Sequence, residues 1–333
     1  MEYPVTRLRR LRSKKELRDM LAETHLSTDD LILPIFVNEA ISEKKPAEGL
    51  EGHFYYPPES SDLADFILSN LELGIKGFLV FGITGKKDFH GSRAYSTEGP
   101  VYRAVRYVRN NIGSEPVIFT DLCICNYTTH GHCGLPVERN GVKIIDNDST
   151  LEVYGKIAVS QAEAGADFVA PSGMMDGQVR SIRSALDSSG FSDVGIMAYS
   201  AKYASVLYGP FRSVMESAPK FGDRSSYQMD PRNSMEALKE IQLDIDEGAD
   251  IVMVKPALFY LDIIRLVGET FPRIPLAAYN VSGEYMMIRA ASGKGFLELD
   301  GAVLEAATAI KRAGADLIIT YFAPLLAKLM RER

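Results

Sequence analysis

No stretch of the chain approaches the roughly 20 consecutive apolar residues needed to span a bilayer. The opening residues, Met1-Glu-Tyr-Pro-Val-Thr-Arg-Leu-Arg-Arg-Leu-Arg12, carry charge where a secretory leader needs an apolar core. Both absences lead to the expectation of a cytoplasmic protein with no membrane partner. Cysteine is scarce, with three in 333 residues. An odd number with no sign of secretion argues against a disulfide framework. Positive charge is also short: 37 lysines and arginines face 44 aspartates and glutamates, a net charge of −7. That balance excludes a nucleic-acid footprint over the whole surface, although the first eighteen residues are locally basic. This basic arm reads as a solvated or subunit-contacting segment.

What is present is an enzyme-sized core, with 46% apolar and 24% charged residues. Eight short apolar runs, rich in β-branched and aromatic residues, recur along it: 30–37, 77–83, 116–122, 166–171, 195–200, 250–255, 274–280 and 316–321. Their apolarity is continuous, as in strands covered on both faces, so the sheet is expected to be parallel. Helical stretches fill the gaps. Asp148-Ser-Thr and Asp230-Pro offer starts for two of them, and Gly-Ala-Asp follows three at 165–167, 248–250 and 314–316. Glycine there supplies a left-handed C-terminal cap, and Ala-Asp leads into the next strand. Eight βα units predict a (β/α)8 TIM barrel over residues 29–333, preceded by an extended N-terminal arm at 1–28. A doubly wound open sheet is disfavoured, because no glycine-rich nucleotide-binding turn follows the first run.

In such barrels the chemistry gathers at the C-terminal ends of the strands. The third run ends at Asp121 and continues as Leu-Cys-Ile-Cys-Asn-Tyr-Thr-Thr-His-Gly-His-Cys-Gly134, which holds every cysteine of the chain. Three thiolates at C-x-C-x7-C spacing suit one soft or borderline cation, Zn²⁺ above all, with a fourth position left for water or substrate. His130 or His132 can instead close the site or order its loop, and ordinary buried thiols are the plain alternative. The fourth run ends near Ser172, the fifth continues to Lys202, the sixth ends in Lys255, the seventh approaches Ser282 and the eighth ends in Tyr321. An ammonium closing an apolar strand is costly unless its pKa falls, and a lowered pKa makes lysine a nucleophile able to form a Schiff base. Each lysine taken alone also reads as a side chain snorkelling from the rim. Ser172, Ser282 and Tyr321 taken singly read equally as loop or core residues.

With these residues in order, and with Met197-Ala-Tyr-Ser-Ala-Lys-Tyr-Ala-Ser205, Tyr208-Gly-Pro-Phe-Arg212, Phe221-Gly-Asp-Arg224, Tyr227-Gln228, Met253-Val-Lys-Pro256 and Val281-Ser-Gly-Glu284, the chain resembles the porphobilinogen synthase (5-aminolevulinate dehydratase) family over nearly its whole length. The resemblance implies condensation of two 5-aminolevulinate molecules to porphobilinogen in tetrapyrrole biosynthesis, by a homo-octamer assembled through its N-terminal arms. It implies that Lys255 holds the first substrate as an imine, with Ser282 and Tyr321 on that substrate's carboxylate and Tyr208 and Phe211 walling its pocket. Lys202 would engage the second substrate, whose carboxylate falls to Arg212, Arg224 and Gln228 on a mobile lid. Asp121 would orient groups or move protons. Zinc would sit on Cys123, Cys125 and Cys133, which places the chain with the zinc-using members. Glu240 matches an allosteric magnesium position of several relatives, although one glutamate on a predicted helix also reads as a solvated face.

Two positions depart from the family pattern. In Pro171-Ser-Gly-Met-Met-Asp-Gly-Gln178, Gly173 stands for a carboxylate and Gln178 for an arginine. The needed charge would then come from Asp121 or Asp176. Two other readings compete. A Schiff-base aldolase on the same barrel explains a strand-end lysine but not the thiols, and a metal-binding scaffold without catalysis predicts zinc with neither imine nor pyrrole.

Overall fold

Each of the eight apolar runs forms a strand in the computed structural model, which describes residues 2–332. They are β1 (Leu31–Asn38), β2 (Gly77–Ile83), β3 (Val117–Leu122), β4 (Phe168–Pro171), β5 (Gly195–Lys202), β6 (Ile251–Lys255), β7 (Leu276–Asn280) and β8 (Leu317–Thr320). Every neighbouring pair runs parallel, and β8 returns to β1 through Leu31 opposite Ile318 and Ile32 opposite Ile319, closing the barrel. Every residue of β1, β2 and β6 is buried, as continuous apolarity requires of strands covered by helices outside and side chains within.

Helices Ser61–Glu72, Pro100–Asn111, Asn147–Ala164, Gln178–Ser188, Met235–Asp246, Leu261–Thr270 and Leu299–Ala313 fill the intervals, with Ser282–Gly293 added after β7 and Ala323–Arg331 after β8. The three Gly-Ala-Asp stops behave as expected at glycine, with φ of 103° at Gly165, 103° at Gly248 and 122° at Gly314. The aspartates do more than lead onward. Asp167 accepts Ile118 N–H at 2.7 Å, Asp250 accepts Ile196 N–H at 2.8 Å and Asp316 accepts Leu276 N–H at 2.9 Å. Each carboxylate thus pins the start of the neighbouring strand and sets how that pair enters the barrel.

Of the two residues read as caps or first-turn residues, Asp148 stands in the first turn of its helix as expected and Asp230 stands in none. Asp146, not Asp148, caps Asn147–Ala164 by accepting Ser149 N–H, because the chain reaches that helix straight from an antiparallel hairpin, Leu135–Arg139 with Val142–Asp146. Asp230-Pro starts no helix: the Asp230 carboxylate is taken by Arg232, and the helix begins at Met235. Before β1, the short helical turns at Leu8–Arg12 and Lys15–Met20 bury no residue.

Candidate active site

Strand register brings the two lysines together. β5 and β6 pair so that Lys202 lies directly opposite Lys255, after a shift of register between Val252 and Val254. Both side chains are buried at the C-terminal mouth. The Lys255 Nζ sits 4.1 Å from the ring centre of Tyr279, 4.9 Å from Tyr199 and 5.3 Å from both Tyr208 and Phe211. Such rings favour a cation by their quadrupoles but cannot replace its hydration. Burial therefore pushes the Lys255 amine well below the ordinary lysine value, and the Lys202 ammonium adds to the shift against the opposing charges of Asp121 and Cys125. A free amine in an aromatic cage is a nucleophile for a carbonyl carbon. Lys202 donates to the Ser172 carbonyl at the end of β4.

Asp121 closes β3 beside this pair. Burial raises its carboxyl to about 6, opposed by a hydrogen bond to Ser172 and by the charges of Lys202 and Lys255. Near neutrality such a group can both give and take a proton. Asp176 stands instead on the side of Tyr227 and Gln228. It is exposed, and it lines a cavity of about 620 Å³ with Glu236 and Glu240. Of the two candidates for the charge that Gly173 lacks, only Asp121 faces the lysines. Gln178 is buried and accepts Met175 N–H at the start of its helix.

The three thiols converge, with Cys123, Cys125 and Cys133 sulfurs all within 4.8 Å of one another and all buried. Hydrogen bonds from the Cys123 and Cys125 thiols pull Cys133 well below the ordinary thiol value, while burial pushes Cys123 well above it. Three soft donors sharing anionic charge fit a single cation of the zinc type. The histidines stand outside this set. His132 meets Tyr227 Oη at 3.1 Å and the Phe221 carbonyl at 2.8 Å, while His130 meets the Phe89 carbonyl at 3.1 Å and accepts His132 N–H. Both rings are spent on ordering the loop.

The segment from Val206 to Asp230, with a short helix at Gly209–Val214, reaches Lys255 through the Phe211 ring. Its anchors come from several strand ends. Phe211 N–H donates to Ser282 Oγ at 3.0 Å, Tyr55 Oη donates to the Val214 carbonyl at 3.0 Å, and Lys87 Nζ donates to the Glu216 carbonyl at 2.8 Å. Arg224 reaches back to the carbonyls of Gly131 and Ser217 at 3.0 and 2.6 Å. Yet Arg212 Nε, Arg224 Nε and both amide atoms of Gln228 are buried with no hydrogen-bond partner among the described residues. Buried polar atoms left unpaired are costly. Two guanidiniums and an amide with spare capacity suit a carboxylate ligand.

On the other side, Tyr321 Oη shares a 3.1 Å hydrogen bond with Tyr279 Oη, and Tyr208 Oη donates to the Tyr203 and Lys255 carbonyls. Tyr199 and Tyr279, the nearest rings to Lys255, carry no signal in the sequence beyond their place three residues short of the end of β5 and one short of the end of β7. Glu240 stands on helix Met235–Asp246, away from the lysines, with its carboxyl raised to about 7 by burial and by Asp176, Glu236 and Glu247.

The profile of the delta-aminolevulinic acid dehydratase family matches residues 5–329. Curated proteins of that name are similar over nearly the whole chain. One from Methanothermus sociabilis is 54% identical over 324 residues, covering 97% of this chain and 98% of its own. One from Bacillus subtilis is 48% identical over 332 residues, covering 100% of each. Among solved structures, delta-aminolevulinic acid dehydratase (porphobilinogen synthase) from Toxoplasma gondii, in complex with the product porphobilinogen, superposes with a TM-score of 0.94 at 38% identity, covering 98% of this chain and 92% of that one.

Proposed function

The chain belongs to the delta-aminolevulinic acid dehydratase family, and we infer that it is a lyase joining two 5-aminolevulinate molecules into porphobilinogen, on the way to porphyrins and haem. One C–C and one C–N bond form, and the two ketone oxygens leave as water. The observation that carries the site assignment is the register pairing of Lys202 with Lys255 beside three converging thiols.

In this reading the Lys255 amine attacks the ketone carbon of the first substrate, expels water and holds it as an imine, a better electron sink than the ketone. Ser282 and Tyr321 take that substrate's carboxylate, and Tyr208 and Phe211 wall its chain. Lys202, steadied by Ser172, engages the second substrate, whose carboxylate pairs with the spare donors of Arg212, Arg224 and Gln228. Asp121 moves protons between them. The lid excludes the water that would hydrolyse the imine at Lys255. Zinc held by Cys123, Cys125 and Cys133 would supply Lewis acidity toward the second substrate. Glu240, among its acidic neighbours, is the residue assigned to an activating magnesium. The arm, largely exposed over its described residues 2–28 with Tyr3, Val5, Leu8 and Leu11 bare to solvent, fits the subunit contact of a homo-octamer. Three free thiols fit a reducing cytoplasm. No helix of the described residues is long and apolar enough to cross a membrane.

The reading is tested by incubating reduced, zinc-loaded protein with 5-aminolevulinate and assaying the pyrrole, beside a chelated sample and Lys255→Ala. Pyrrole lost on chelation and restored by zinc, with no borohydride-trapped adduct in Lys255→Ala, is the expected result. A normal adduct in that variant removes Lys255 from the nucleophile role, and full turnover after verified zinc removal removes the metal from the reaction.

A further inference from the structure

Cys123 and Cys125 follow directly from β3, and a strand end places them. Cys133 comes from an irregular loop eight residues beyond Cys125, so something else must fix it. Two phenols grip its peptide unit. Tyr227 Oη accepts Cys133 N–H at 3.4 Å, and Tyr154 Oη donates to the Cys133 carbonyl at 2.7 Å. Tyr154 is fully buried on helix Asn147–Ala164, its hydroxyl also against the Cys123 thiol. The same helix holds the rest of this corner, with Thr150 Oγ1 accepting Leu135 N–H at 2.9 Å and Gln161 Nε2 donating to the Asp121 carbonyl at 2.9 Å.

Gly173 explains how the phenol fits. Its φ lies outside the left-handed region, so glycine is not there for backbone freedom. A Cβ on residue 173 would overlap the Tyr154 hydroxyl oxygen and stand 2.6 Å from Cζ and 2.8 Å from Cε2. The space that a side chain at 173 would use is filled by a phenol delivered from another element. Resting on the reading of the thiols as a zinc site, we propose that Tyr154 is a positioning residue of that site, its hydroxyl setting the place of Cys133, and that Gly173 is its steric partner.

Zinc affinity by chelator competition, and the thiolate-to-cobalt absorption of the cobalt(II)-loaded protein, test this apart from turnover. Groups that orient a metal's ligands typically change affinity about 10–100-fold when removed. Tyr154→Phe, folded by near-ultraviolet circular dichroism, is expected to bind zinc weaker by about that factor and to shift the cobalt bands. Gly173→Ala should lower the melting temperature in the parent but not in a Tyr154→Leu background, which frees the space while zinc binding stays weak. Parent-like zinc affinity and cobalt bands in any folded variant lacking the hydroxyl overturn the proposal. A parent chain that itself binds no zinc overturns the metal reading beneath it, and the proposal with it.

Discussion

An ammonium closed in by Tyr199, Tyr208, Phe211 and Tyr279, with a second ammonium in register beside it, is unstable as a cation, and the proposed reaction draws on that instability for its nucleophile at Lys255. Lys202 contributes to the lowered pKa through its charge. Lys202→Met removes that charge, so the Lys255 pKa should rise and free amine should appear only at higher pH. The rate of borohydride trapping of 5-aminolevulinate, followed against pH, should move to the alkaline side in Lys202→Met. An unmoved profile would mean that burial alone sets the amine. Lys255→Arg should trap no adduct at any pH, because a guanidinium stays protonated and cannot form the imine.

At the scale of elements, the segment proposed as the lid is tied to several others by separate bonds, and each can be loosened. Tyr55→Phe removes the hydroxyl that meets the Val214 carbonyl and should cost about 1 kcal/mol of closure, the usual net worth of one hydrogen bond. Limited proteolysis should cut within residues 215–230 faster in Tyr55→Phe, and 5-aminolevulinate should restore protection; unchanged cleavage would show that this contact does not hold the lid. Much of this architecture was legible in the sequence. Continuous apolar runs located all eight strands, because a strand buried on both faces needs no alternation to reveal it. The site lysines and thiols were legible because charge or sulfur at the end of such a run is out of place. Contacts made between elements were not. Asp167, Asp250 and Asp316 pin neighbouring strands across the barrel floor, and the grip of Tyr154 on Cys133 depends on a helix meeting a loop. The hairpin Leu135–Arg139 with Val142–Asp146 was hidden by its brevity, and its last residue, Asp146, supplies the cap of the helix in whose first turn Asp148 lies.

Over the whole molecule, the titration of groups other than the two lysines should make stability depend on pH in two opposed ways. Asp244, half-buried behind β5 with the Ser200 hydroxyl and facing Glu240 and Glu247, is raised to about 7 by the loss of solvent around its carboxyl, and the buried Glu284 likewise to about 7 although it accepts Val281 and Leu258 N–H. These carboxyls keep their protons in the folded chain from about pH 4 to about 7, where the unfolded chain has lost them. The native state then binds more protons, so their contribution falls as pH rises through that window. His53, packed against Tyr285 and Tyr321, is lowered to about 4 by burial. Between about 4 and 6.5 the unfolded chain binds the extra proton instead, so the contribution of His53 is lost as pH falls. The two terms partly cancel in the parent and separate in variants. Urea midpoints of zinc-loaded protein from pH 5 to 8 should show Asp244→Asn gaining on the parent as pH rises, and His53→Gln gaining on it as pH falls. Curves parallel to the parent in both variants would mean that neither group titrates differently on folding, and that the barrel admits water to the side chains it encloses at these two places.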